Sequence, residues 1–136
     1  VLWKAFKSLE ILDKRSVSDL GLGCISDFAV LEVLYHKGPT PINTIGKKIH
    51  LTSGSITAAV DRAEKKGLVE RQWDAGDRRV IYAALTANGN STIKAALKEH
   101  AASLEIAASG LSASERGQLL KLLKKLGYRA AELAQS

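Results

Sequence analysis

One hairpin interrupts an otherwise helical chain. Leu68–Trp73 and Val80–Leu85 are rich in branched and aromatic residues, and the polar stretch Asp74-Ala75-Gly76-Asp77-Arg78-Arg79 between them has a central glycine. Two such runs joined by a short polar turn read as paired strands. On either side the apolar residues recur at helical spacing. The only two prolines, Pro39 and Pro41, share one connection, so nothing else in the chain forbids helix.

Upstream of the hairpin the pattern predicts four helices. The first runs from Leu2 through Ala5, Phe6, Leu9 and Leu12 and ends in the Ser16–Gly23 stretch, where Gly21 and Gly23 break the period. Ser26 is expected to cap the second, which carries Phe28, Leu31, Leu34 and Tyr35 and stops at Lys37-Gly38-Pro39. Thr40 is expected to cap a short third helix with Pro41 in its first turn and Ile42, Ile45 and Ile49 on one stripe. Thr52 is expected to cap a fourth, in which Ile56, Val60, Ala63 and the terminating Gly67 share a face. Downstream, Thr86 opens a helix through Ile93, Leu97 and Leu104 that closes at Gly110. Ser112-Ala113-Ser114-Glu115 is a capping box for a last helix, where Leu119, Leu122, Leu123, Leu126, Ala130 and Leu133 form a long stripe that calls for a partner surface.

The length of 136 residues suits one domain with a true core. Twenty Lys and Arg against fourteen Asp and Glu give a net charge of +6, an excess suited to a phosphate backbone or an anionic surface. A single cysteine, Cys24, excludes an internal disulfide and fits a cytoplasmic setting. No apolar run approaches the ~20 residues of a membrane span, and no secretory signal pattern is present, so no membrane partner is expected. Methionine is absent even at position 1, from which the natural N-terminus is expected to lie upstream of Val1.

The fourth helix has the two faces that groove reading demands. With Ile56 toward the core and 100° per residue, Gly54, Ala58, Asp61 and Lys65 point outward, flanked by Ser55, Thr57 and Arg62. The first turn is small and polar, which lets a helix approach base edges, while Arg62 and Lys65 add reach. At the hairpin tip Asp74 and Asp77 can hold one arginine while the other projects toward a narrow minor groove. The plainer reading is a helix start and a solvated, salt-bridged turn.

The sequence resembles the MarR-type winged-helix transcriptional regulators of bacteria and archaea. Phe28-Ala29-Val30-Leu31-Glu32-Val33-Leu34 resembles that family's second helix, and Leu51-Thr52-Ser53-Gly54-Ser55-Ile56-Thr57 its recognition helix. Glu64-Lys65-Lys66-Gly67-Leu68-Val69-Glu70-Arg71 resembles the entry to its wing, Asp77-Arg78-Arg79 the wing tip, and Leu85-Thr86 with Gly89 the start of the next helix. Ala63 departs from the pattern, standing where a larger apolar residue is common.

The resemblance implies a mainly α fold with a small β-hairpin wing, a winged helix-turn-helix flanked by N- and C-terminal dimerisation helices. The whole of 1–136 would be one domain, with 26–86 the DNA-binding region and 1–25 and 87–136 the dimerisation helices. It implies a homodimer on a pseudopalindromic double-stranded operator, most often a repressor, released by a small phenolic or acidic ligand or by cysteine oxidation. By position, Thr52, Ser53, Gly54, Ser55, Thr57, Ala58 and Arg62 take the major-groove role, and Arg78 or Arg79 the wing role with Asp77 orienting it. The ligand crevice would draw on Phe6, Arg15 and Phe28, and Cys24 is the one candidate for thiol sensing. The protein would be cytoplasmic and associated with the nucleoid when bound to DNA.

No catalytic constellation stands out, so no enzyme activity and no cofactor are expected. His36, His50 and His100 lack ligand spacing, which argues against a metal site. The competing reading of a winged helix is a protein-interaction module, distinguished by its indifference to salt.

Overall fold

The first helix, α1, spans Leu2–Asp19 and buries only Ser16 and Val17 in its last turns. Its apolar residues Leu2, Trp3, Phe6, Leu9, Ile11 and Leu12 remain exposed. The second, α2, spans Ile25–Lys37 and begins two residues upstream of the position expected from sequence. Cys24 in extended conformation is its N-cap, and the Cys24 carbonyl accepts the Asp27 and Phe28 N–H groups at 3.0 and 3.2 Å. Ser26 therefore lies inside the first turn, and its hydroxyl meets Cys24 Sγ at 2.9 Å instead of capping. Gly38, at φ +74°, ends α2.

Thr40 likewise does not cap. Thr40–Pro41 form a two-residue strand, β1, and the Thr40 hydroxyl donates to the Gly38 carbonyl at 2.9 Å. Pro41 becomes the N-cap of α3, Ile42–Lys48, which is followed by a tight turn through His50 at φ +56°. The next helix, α4, spans Ser53–Lys65, and Thr52 caps it as expected: Thr52 Oγ1 accepts the Ser55 N–H at 3.2 Å. Ile56, Ala59, Val60 and Ala63 of α4 are buried. Small Ala63 is 3% exposed, so the position is packed despite its departure from the family pattern.

The hairpin consists of β2, Val69–Trp73, and β3, Ile81–Leu85, paired antiparallel with Val69 opposite Leu85 and Trp73 opposite Ile81. β1 adds to the other edge of β3, giving the order β1-β3-β2. That third strand escapes sequence reading because two residues display no alternation. Thr86 then caps α5, Ala87–Ala107, accepting the Gly89 N–H at 2.9 Å while donating to the Gly67 carbonyl at 2.7 Å.

The structure, a computed structural model, describes residues 1–135. They fall into two compact units divided within α5, Val1–Ala102 and the segment from Ser103 onward. The first unit has one core in which Val30 and Leu34 of α2, Ile45 of α3, Val60 of α4 and Ile93 of α5 are each at most 2% exposed. A polar link joins α1 to α5 beside it: His100 Nδ1 lies 3.0 Å from Ser16 Oγ, and His100 Nε2 lies 3.1 Å from Asp13 Oδ1.

In the second unit α6 spans Ala113–Gln135. The capping box forms as the sequence predicts, with the Ser112 N–H donating to Glu115 and the Glu115 N–H to Ser112 Oγ. Arg116 closes the preceding turn through the Leu111 and Ala108 carbonyls and Glu105. No described residue of α6 is buried. No helix of the described residues is long and apolar enough to cross a membrane.

Candidate nucleic-acid interface

The start of α4 is an uncovered helix N-terminus built from small residues. Thr52, Ser53, Gly54, Ser55 and Thr57 are all exposed and Ala58 is half-buried. Thr52 fixes this end twice, accepting the Ser55 N–H and donating its own hydroxyl to Ser55 Oγ at 2.9 Å. Thr57 turns its hydroxyl back to the Ser53 carbonyl at 2.9 Å, which keeps the surface low. Unsatisfied N–H groups and the helix dipole together favour an anionic phosphate here, and the low relief lets base edges come close.

The wing tip is organised by two carboxylates. Asp74 Oδ1 accepts the Gly76 and Asp77 N–H groups at 2.8 and 2.9 Å and so shapes the turn. Asp77 accepts from the Arg79 backbone N–H, Nε and Nη2, each at 3.0 Å. The Arg79 guanidinium holds the Asp77 carboxyl below its ordinary range, and Asp77 in turn raises Arg79. Arg78 is exposed and, among the described residues, has no carboxylate partner.

Arg71, which sequence reading did not single out, fastens the wing to α4. From β2 its Nη2 donates to Asp61 at 2.5 Å and its Nη1 to Glu64, both on α4. A groove of about 430 Å³ is lined by Pro41 of β1, Ile42 and Asn43 of α3, Thr57 of α4, Arg71 of β2, and Arg79, Val80 and Ile81 at the wing. The sequence contained both carboxylates and the arginine, but their separations of ten and seven residues match no local rule.

Arg62 does not extend from the reading face as the sequence suggested. Its Nε donates to both carboxylate oxygens of Asp27 at 3.0 and 3.1 Å, and its Nη2 to Oδ1 at 2.6 Å. Asp27 raises the Arg62 pKa further. Cys24 is exposed, 3.7 Å from Arg62 Nη2, and its thiol is lowered by the Ser26 hydroxyl above all. The residues expected to line a ligand crevice have different surroundings in the single chain. Phe28 is buried against the His100 ring at 5.0 Å, Phe6 pairs with Trp3 at 6.2 Å, and Arg15 is exposed on α1.

A tightly joined helix pair, a capped outward helix and a salt-bridged wing form a winged helix-turn-helix. A model of the MarR family matches residues 25–81, the span from the start of α2 to the start of β3. The HTH-type transcriptional regulator MhqR of Bacillus subtilis is 39% identical over 97% of this chain and 90% of its own length. The chain belongs to the MarR family. It is accordingly a DNA-binding transcriptional regulator and not an enzyme.

Solved MarR structures have the same fold. The MarR family transcription regulator SP03579 aligns over 98% of this chain and 87% of its own with TM-score 0.85 at 21% identity. The PcaV transcriptional regulator of Streptomyces coelicolor, solved in complex with its natural ligand, aligns over 93% of this chain and 91% of its own with TM-score 0.77 at 20% identity.

Proposed function

We propose that this MarR protein is a homodimeric repressor that reads a pseudopalindromic operator with α4 in the major groove and the wing at the minor groove. The observation that carries the reading is the exposed, small-residue N-terminus of α4, fixed by the Thr52 cap, beside a wing whose Arg78 and Arg79 are both exposed. Ser53, Gly54, Ser55, Thr57 and Ala58 meet bases and phosphates, and Asp77 orients Arg79 at the wing.

The dimer reading rests on apolar surface. Leu119, Leu122, Leu123, Leu126 and Leu133 of α6 are 43–63% exposed, and α1 shows a second apolar stripe, more than a monomer ordinarily leaves uncovered. Dimer symmetry then sets two half-sites about one helical turn apart. Release by a small phenolic or acidic ligand is the regulatory mode we assign; PcaV, of the same fold, was solved with its natural ligand, and Bordetella bronchiseptica BpsR, also of that fold, has its DNA binding regulated by 6-hydroxynicotinic acid. The protein then acts in the cytoplasm, on the nucleoid.

A mobility-shift titration against the DNA upstream of its own gene and an unrelated duplex tests this, at about 50 and 200 mM salt. Preference of about a thousandfold that weakens with salt is the expected result. Equal, weak binding to both duplexes would overturn it, and would mean either that the operator lies elsewhere or that the winged helix serves a protein partner. A second reading, thiol-triggered release, is favoured by the lowered Cys24 thiol beside Arg62. Alkylation with one equivalent of iodoacetamide would then abolish the shift, and Cys24→Ser would resist it.

A further inference from the structure

Asp27 is 3% exposed, yet it is a carboxylate in the first turn of α2. A charge buried to that degree is stable only when paired and hydrogen-bonded. The pairing comes from the Arg62 fork on α4, through three contacts of 2.6–3.1 Å. A second bond runs parallel to it: Lys66 Nζ, just past α4, donates to the Leu22 carbonyl in the α1–α2 connection at 2.8 Å. Between these anchors lies Gly23 at φ +113°, where an added Cβ would stand 2.2 Å from Asp27 Oδ2. The connection is thus shaped around the carboxylate, and two cations at the C-terminal end of α4 grip it.

We infer that Asp27 is a positioning residue for DNA reading: by holding Arg62 it sets the angle of α4 against α2 and keeps that guanidinium out of the base contacts. This rests on the assignment of α4 as the reading helix. The bidentate geometry is what makes the assignment specific. An arginine fork on a carboxylate fixes orientation as well as distance, which a single lysine contact does not. Bases are then read by the small first turn alone, and Arg62 acts through Asp27.

Duplexes selected from random DNA by the wild-type protein provide the probe, with an unrelated duplex as control. Asp27→Asn and Arg62→Gln are each expected to weaken binding of the selected duplex about tenfold or more per folded molecule. The double variant falls no further than the weaker single, because the two residues act as one unit. Binding to the unrelated duplex and the salt slope stay as in the wild type, a pattern that lost stability does not produce.

Three results overturn the inference. Arg62→Gln alone relaxing preference at one base pair marks a base contact. A salt slope smaller by about one in that variant marks a phosphate contact. Unchanged affinity per folded molecule in all variants leaves the pair a packing feature only. Should Asp27→Asn fail to fold, Asp27→Glu and Arg62→Lys keep both charges while altering the reach, and a wild-type affinity for the pair would equally overturn it. If the wild type selects no duplex, the reading of α4 itself fails, which is a separate outcome.

Discussion

A Cβ on Gly89 would stand 1.9 Å from the carbonyl oxygen of Leu68. The first turn of α5 therefore lies directly on the residue that leads into β2, and the Thr86 N–H donates to the same oxygen at 3.1 Å. The obstacle is backbone and cannot rotate aside. Gly89→Ala is expected to lower the free energy of unfolding by about 2–3 kcal/mol, as overpacking does. Urea denaturation followed by circular dichroism measures it, and a loss below about 0.5 kcal/mol would show that α5 and the wing root separate easily.

The Arg71 clasp predicts a local effect. Asp61 and Glu64 are half-exposed, so losing the cation costs little globally, about 1 kcal/mol or less. What Arg71→Ala removes is the side-chain tie between β2 and α4. Amide exchange should accelerate in β2 and β3 while α2 keeps its protection. Equal protection in both proteins would mean that the strand ladder and the buried Val69 hold the wing unaided.

How far the sequence carries can be judged from these ties. Thr52 as cap, the hairpin between Leu68 and Leu85 and the Ser112–Glu115 box were legible because each depends on neighbours within a few residues. Ser26 and Thr40 looked like equally good caps, yet Cys24 and Pro41 hold those positions. At Thr40 the tertiary pairing with Ala83 wins over the local option. Arg62 was legible as a long cation on α4 but not as the partner of Asp27, thirty-five residues away. Side-chain destinations of that kind are fixed by how α2 and α4 cross, which periodicity does not encode.

The capping box sets a pH dependence. Glu115 is held below its ordinary range, first by the Ser112 backbone N–H and then by the Ser112 hydroxyl. A carboxylate lowered in the folded state stabilises that state above its unfolded pKa, and the benefit is lost as pH falls through the folded value. The start of α6 should accordingly stay formed at neutral pH and fray only in acid. Carbon-detected NMR titration of Glu115 should give a midpoint below that of a free glutamate, and Ser112→Ala should move it up. An unshifted midpoint in the wild type would show that the box does not persist in solution.

At the wing, Arg78 and Arg79 are expected to differ in role. Arg79 is 91% exposed along its side chain although Asp77 engages it, and Arg78 has no such partner among the described residues. Removing both with Arg78→Ala and Arg79→Ala should weaken operator binding and reduce the salt slope by about one to two, with no change in mass by light scattering. Arg78→Ala alone should account for most of the loss. Undiminished binding by the double variant would take the wing out of the interface.

The leucine stripe of α6 offers a cleaner test than a core substitution. Leu122 and Leu126 are 63% and 58% exposed, so an isolated chain loses little by replacing them with charge. In a dimer sealed by the same stripe, Leu122→Asp with Leu126→Asp would place four carboxylates in one apolar interface, a cost no local adjustment offsets. Circular dichroism should therefore remain near that of the wild type while sedimentation shifts from dimer to monomer. Operator affinity should fall with it, because a single α4 meets only one half-site. A variant that remains a dimer with full affinity would move the subunit contact to another surface, with the α1 stripe around Phe6 and Leu9 the next to be tested.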